Sequence, residues 1–467
     1  MSNYDHYQQH LQATKQELDN VSPSFCVAKW KQVTMHLQNG MTHSCHHPKP
    51  HVVPVQEILV NPTALHNSEF KKLQRKKMLE GHRPAECDYC WRVEDNGQGS
   101  FSDRVYKSAD SWAKPFVADV ANKSWDHNVD PSYVEVSFSN VCNFKCSYCA
   151  PHISSQWMDE ILKYGAYPTS TNYNNLEWLQ QEKMMPILNR EENPYVEAFW
   201  KWWPSMYHNL QHFRITGGEP LLSKNTFKVL DYIIENPNPN LEFSINSNMN
   251  PPEKVFDIFL EKIKIIINEK KIKRFKIFTS AEAHGKQSEY IRYGMNYDLW
   301  LANIHKMYEE IPGIEFTVMS TYNLLSTTSY ISFMKDVLEI KRKYGRHDDD
   351  RNPMLLDIPY LRYPEHQAIF LIEPYMLNMI YDHVNFIYQN LEYKHWQGTA
   401  NRGFYEHEAD KLKRIYNMAS SIVENEYTHI NRKNFTIFVD EHDRRRGTCF
   451  SETFPELMLA YDKWKKI

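Results

Sequence analysis

No run of about 18 apolar residues occurs in the 467-residue chain, so nothing in it reads as a membrane-spanning helix. Charge of one sign is lacking too. The 54 Lys and Arg stand against 58 Asp and Glu, a formal net charge of −4, which gives no global reason to expect a nucleic acid or a membrane as partner. Glycine is scarce, with 14 residues, or about 3%, against the roughly 7% of an average protein. Cysteine is limited to eight positions. These cluster instead of spreading over a small secreted frame, which argues against a disulfide scaffold and for metal ligation or catalysis in a reducing compartment. The first twenty residues are polar and lack the apolar stretch of a signal peptide, so a cytoplasmic protein is expected. No internal repeat and no low-complexity tract is present. Two short basic runs, "KKIKRFK" and "DRRRG", read as solvated surface.

What is present divides into three regions. Residues 1–125 are rich in His, Cys and Pro and poor in periodicity, and read as a loop-rich module. Residues 126–364 alternate strand-like and helix-like segments, with six strands predicted at 133–138, 212–216, 241–246, 274–280, 314–320 and 354–361. In the first of these Val134, Val136 and Phe138 fall on one face. Between strands, Phe227, Leu230 and Ile234 form one helical stripe, and Val255, Phe259, Ile263 and Ile266 another. Such alternation predicts an α/β fold: a parallel sheet with helices packed outside, open or curled toward a barrel, whose chemistry lies in loops at the carboxyl ends of the strands. An insertion at about 151–211 carries Trp200, Trp202 and Trp203, either buried against the sheet or forming a substrate-binding wall. Residues 365–467 read as mostly helical.

Directly after the first predicted strand, Cys142, Cys146 and Cys149 form C-x3-C-x2-C. Soft thiolates suit zinc or iron and sulfur. Structural zinc takes four protein ligands, and no fourth follows at finger-like spacing; His152 comes too soon. A four-iron cluster needs one ligand per iron, so three cysteines leave one iron open to a small molecule.

This triplet, with Tyr148 before its last cysteine, on a loop after the first strand of a six-strand β/α unit, resembles the radical S-adenosylmethionine (radical SAM) enzymes. The resemblance implies a partial (β/α)6 TIM-like barrel. It also implies a [4Fe-4S] cluster on Cys142, Cys146 and Cys149 whose open iron binds S-adenosylmethionine, and reductive cleavage of that cofactor to a 5′-deoxyadenosyl radical that abstracts a substrate hydrogen. "RITGGEPLL" resembles the family's GGEP segment, with Gly217, Gly218 and Glu219 receiving the cofactor's amino group. "FSINSNMN" is similar to the polar end of the family's third strand, which implies Asn246 and Asn248 near the ribose or carboxylate. "FTSAEAHGKQSEYIR" supplies Ser280 and Arg292, although Glu282 stands where an aspartate is usual.

Upstream lie Cys26, Cys45, Cys87 and Cys90, enough to close a cluster or a zinc site completely. Their layout, with Trp30, Gly40 and a helix over 73–81, resembles the SPASM or twitch module of radical SAM enzymes, which holds an auxiliary [4Fe-4S] cluster. Here it precedes the core, where better-known members place it after. Zinc remains the alternative for this site. Cys449 is unassigned and reads as an incidental thiol.

Enzymes that join this core to an auxiliary cluster mostly act on peptides or protein side chains. The leading expectation is therefore a radical SAM enzyme modifying a peptide or protein, with flavodoxin or ferredoxin as reductant; a sugar or nucleoside derivative is the alternative substrate. From a different class, a zinc-stapled nucleic-acid-binding module explains neither the open triplet nor "GGEP". No acid–base pair is assigned. His284, Tyr290, Tyr322, Asp440 and Glu441 are noted as candidate substrate contacts.

Overall fold

Apolar residues alternating with polar ones set the faces of one large sheet. The computed structural model describes residues 3–97, 101–345, 353–392 and 402–467. In chain order the strands are β1 (Gln32–His36), β2 (Met41–His43), β3 (His51–Val52), β4 (Tyr133–Ser137), β5 (Lys145–Cys146) and β6 (His212–Thr216). They continue as β7 (Asn238–Asn246), β8 (Ile272–Thr279), β9 (Arg292–Tyr293), β10 (Glu315–Met319) and β11 (Met354–Asp357). Nine strands form a sheet in the order β11-β10-β8-β7-β6-β4-β1-β2-β3, while β5 and β9 pair separately. The six predicted strands are β4, β6, β7, β8, β10 and β11, each parallel to its neighbours. The last stops at Asp357, earlier than predicted.

Val134, Phe213, Phe243 and Phe275 point to one face and are buried. Helices Pro194–Tyr207 and Glu253–Asn268 cover that face, with Trp203 against Phe213 and Phe259 against Phe275. Trp202 and Trp203 are buried in this outer layer and Trp200 stacks on Phe138, so the insertion's aromatics are core and not a substrate wall. The opposite face is polar. Across it Thr34, Glu135, Arg214, Ser244, Lys276 and Glu315 stand in register, one per strand. The interior of an ordinary barrel is a packed apolar core; this face is not.

The N-terminal region departs from a loop-rich expectation. It contains helices Asn3–Val21 and Glu69–Leu79 and several of four to eight residues, too short to leave a periodic signature. Its own small core, including Leu18, Phe25, Trp30, Met78 and Trp112, also takes in Cys26, Cys87 and Cys90. β1 joins the main sheet beside β4, in parallel over five residue pairs, and β2 and β3 extend it antiparallel. Among the described residues no helix is long and apolar enough to cross a membrane.

Candidate functional site

The loop leaving β4 carries Cys142, Cys146 and Cys149, and two glycines decide how closely its neighbour approaches. Gly217 has φ +116°, a backbone region that L side chains rarely adopt. A Cβ on Gly218 would run into the carbonyl oxygens of Val141 and, at 2.8 Å, Asn140. The end of β6 thereby presses against the cysteine loop, and Glu219 N–H donates to Val141 O at 2.7 Å. The Glu219 carboxylate is buried and accepts from Asn248 N at 2.6 Å, Ser247 Oγ at 2.9 Å and Leu221 N at 3.0 Å. Burial still pushes it up to about 7 against these three donors.

On the other side, β5 pairs with β9 so that Cys146 opposes Arg292. Arg292 Nη1 lies 3.8 Å from Cys146 Sγ, and its other nitrogens donate to Glu282 Oε2 at 2.7 and 2.9 Å and to the Tyr148 hydroxyl at 2.5 Å. Tyr148 in turn donates to Glu282 Oε1 at 3.1 Å. Burial works against the Arg292 charge, and Glu282, Tyr148 and Cys146 together outweigh it, so the guanidinium stays charged beside a thiol. Glu282 is thus the buried counter-ion that aims Arg292 and Tyr148.

The remaining expected residues are placed unevenly. Asn246 faces the polar side of the sheet and accepts from Arg214 Nε at 2.8 Å. Asn248 ties β7 to the cysteine loop through Asn143 Oδ1 at 2.7 Å, a bracing role. Ser280 sits one residue past β8. The candidate substrate contacts are engaged elsewhere: Tyr290 with Asp443, Tyr322 with His383, His284 with Asp336, Asp440 with Tyr461 and Glu441 with Arg444 and Arg445. Cys449 stands at the start of a short helix, its thiol 3.3 Å from Ser451 Oγ.

Sequence reasoning missed the clamp on the cysteine loop. Trp157 Nε1 donates to Cys146 O at 2.7 Å, and Gln367 Nε2 to Ser147 O at 3.1 Å. Tyr173 donates its hydroxyl to the carbonyls of Ser147 and Cys149. Arg446, from the "DRRRG" run, is buried and donates to Lys145 O at 2.7 Å while stacking on Trp157. The solvated-surface reading of that run fails at this residue. A signal existed: Phe435, Phe438, Val439, His442 and Arg446 recur at helical spacing, and all are buried.

Cys26, Cys45, Cys87 and Cys90 line one small cavity with Lys29, Arg104 and Trp91. Lys29 pairs with Glu86, and Arg104 with Glu94 and Asp19. Cys45 follows β2, which runs antiparallel to β1 with His43 opposite Thr34, so it lies level with the start of β4. The triplet lies beyond the other end of β4. Four residue steps at about 3.3 Å put at least about 13 Å between the two sets.

No cysteine is in a disulfide. Burial pushes Cys149, Cys26 and Cys90 up to about 12 and raises Cys142, Cys146, Cys45 and Cys87 as well. Neighbouring thiols add to this: Cys146 and Cys149 raise Cys142, and Cys26, Cys45 and Cys87 raise Cys90. Among the described residues no group of three or more His, Cys, Asp or Glu converges as a single ion requires, with zinc–sulfur bonds near 2.3 Å. A multi-iron cluster spreads its ligands over its corners, and a bound metal centre favours thiolates as the neighbouring Arg292, Lys29 and Arg104 charges do. On donor type, three thiols at the triplet fit an iron–sulfur cluster with one open corner, and the four upstream thiols fit an iron–sulfur cluster or zinc.

No protein-family model matches the chain, and no curated protein matches it. Solved structures of SuiB from Streptococcus suis are similar. One, bound to S-adenosylmethionine, has 14% identity over 80% of this chain and 71% of that one, with TM-score 0.34. A second has 15% identity over 85% and 76%, with TM-score 0.36. A third, bound to precursor peptide SuiA, has 13% identity over 87% and 79%, with TM-score 0.35.

Proposed function

We propose that the protein is a radical SAM enzyme that modifies a peptide or protein substrate by hydrogen abstraction. The observation that carries this reading is the meeting of three half-buried thiols, the Gly217–Glu219 backbone and the Arg292–Tyr148–Glu282 triad at the carboxyl ends of parallel strands. In this reading Cys142, Cys146 and Cys149 hold a [4Fe-4S] cluster, and Glu219, Asn246, Ser280 and Arg292 face S-adenosylmethionine. Cluster and cofactor, when bound, supply a 5′-deoxyadenosyl radical.

The chain's own residues do the rest. Glu219 presents a carboxylate held by three donors, so it does not swing when a cationic amino group arrives. Arg292 sets a fixed positive charge beside Cys146, which favours the thiolate and an electron arriving at its ligand. Tyr173, Trp157, Gln367 and Arg446 occupy carbonyls of the loop and keep water from them. The second thiol set, as an auxiliary [4Fe-4S] site, supports a peptide substrate and an electron sink at the far end of β4. A cytoplasmic location with flavodoxin or ferredoxin as reductant completes the proposal.

Anaerobically purified protein is expected to be brown, with about eight irons per chain, and to release 5′-deoxyadenosine under reduction. The Cys142→Ala/Cys146→Ala/Cys149→Ala variant is expected to release none. Colourless protein carrying only zinc, or release by that triple variant, would overturn the reading.

A further inference from the structure

The polar face of the sheet holds a cavity of about 210 Å³ toward the amino-terminal ends of β4, β6, β7 and β8, away from the cysteine triplet. Its floor follows from strand register. Tyr133, His212 and Glu242 form one row, and Glu135, Arg214, Ser244 and Lys276 the next. At about 30 Å³ per water it has room for about seven waters, the size of one amino-acid side chain and too small for a folded peptide.

Its charges are not all spent. Glu315 receives both arms of the Arg274 guanidinium, so Lys276 Nζ, 3.7 Å away, is left with a shared partner. Arg214 commits Nε to Asn246 and reaches the Tyr133 hydroxyl, and its carboxylate neighbour Glu135 stands 3.9 Å off, at the limit of an ion pair. Glu242 is drawn outward to Lys273 at 2.8 Å. Both under-used cations lie over the ring of Phe278, Arg214 at 3.8 Å and Lys276 at 5.9 Å from its centroid.

Resting on the radical SAM reading, we infer that this cavity is a subsite for a single carboxylate carried by the substrate, received between Arg214 and Lys276 beside Ser244. Arg274 is matched by Glu315 and Glu242 by Lys273, so Arg214 and Lys276 share Glu135, at 3.9 Å from Arg214, and one positive charge is in excess. That excess admits a monoanion and opposes a phosphate dianion. Burial, with Arg274 beside it, lowers the Lys276 ammonium below its ordinary pKa against the pull of Glu315 and Glu242. The carboxylate belongs either to an acidic side chain or to a chain terminus, and both sources are separable by probe.

The test is ligand-observed NMR on the full chain with N-acetylglutamate α-amide (side-chain acid), N-acetylglycine (terminal acid), the neutral N-acetylglutamine α-amide and inorganic phosphate. Saturable binding of at least one acid, more than tenfold weaker for the neutral amide and for phosphate, is expected; which acid binds names the source. Lys276→Gln is expected to weaken that acid at least tenfold. Ser244→Asp, which puts a fixed carboxylate in the cavity, is expected to abolish it and provides the control if Lys276→Gln fails to fold. Equal binding of acid and amide, tighter binding of phosphate, no binding of either acid, or unchanged affinity in a folded variant would overturn the inference. Release of 5′-deoxyadenosine by the unmodified protein is read separately. Its loss removes the radical reading and leaves carboxylate binding intact, while loss of binding leaves cleavage.

Discussion

Arg446 Nε lies 3.1 Å from Glu160 Oε2, an ion pair with both side chains buried, joining a C-terminal helix to the helix that follows the cysteine triplet. Lys145, next to Cys146, shares the same oxygen at 2.6 Å. Removing Arg446 leaves Glu160 with Lys145 as its one cation and takes away charge-assisted hydrogen bonds to Glu160 and to Lys145 O, at a cost of about 2 kcal/mol or more. Arg446→Gln is expected to lower the unfolding free energy by about that amount in urea titration and to reduce iron retention at the triplet. Arg444→Gln, at an exposed site, is expected to do neither.

The same pair predicts a pH dependence. Burial pushes the Glu160 carboxyl up, but Arg446, then Lys145 and Tyr167, outweigh it and hold the group down at about 2 against an ordinary 4.5. A carboxyl depressed in the folded state adds stability above its unfolded pKa and loses it as pH falls toward the folded one. The stability gap between the unmodified protein and Glu160→Gln is therefore expected to be full at pH 7, to narrow below about 4.5 and to close near 2. A gap that stays constant from pH 7 to 2 would refute this.

Gly218→Ala places a methyl group where the Val141 and Asn140 carbonyls lie, and backbone on both sides leaves little room to yield. The triplet loop is expected to shift as a unit while the upstream site is untouched. Iron should fall from about eight to about four per chain, with 5′-deoxyadenosine release lost.

Cys87→Ala/Cys90→Ala is the converse. These two residues share a small core well separated from the triplet. Uncoupled release of 5′-deoxyadenosine is expected to survive, with about four irons left and no modified substrate detected by mass spectrometry.

Much of the sheet was legible because period-two alternation survives in strands buried on one face and polar on the other. Val134, Val136, Phe243 and Ile245 carry that pattern without ambiguity. The short helices of the first hundred residues were not, since four to eight residues complete too few turns to show a stripe. Cysteine and glycine spacing exposed the thiol sets and the Gly217–Glu219 approach. What remained hidden was polar side-chain pairing at long sequence range: Arg446 reaches Glu160 across 286 positions, and Ser147 reaches Gln367 across 220. No local motif encodes such a pairing. Glu282 is an intermediate case, visible as a departure from an expected aspartate and intelligible only once Arg292 and Tyr148 are seen on its two oxygens.

The parallel ladder from Gln32–Tyr133 to His36–Ser137 also acts as a ruler. Both thiol sets hang from its ends, so the span between them is counted in peptide units and is unaffected by hinge motion. Inserting one residue into either strand would turn its side chains to the opposite face. Only paired two-residue insertions could lengthen the span and keep the polar face polar, a quantised change of about 6.6 Å. In the proposed two-cluster reading, electron exchange between the two ends, which falls steeply with separation, would then drop in steps and could not be tuned continuously.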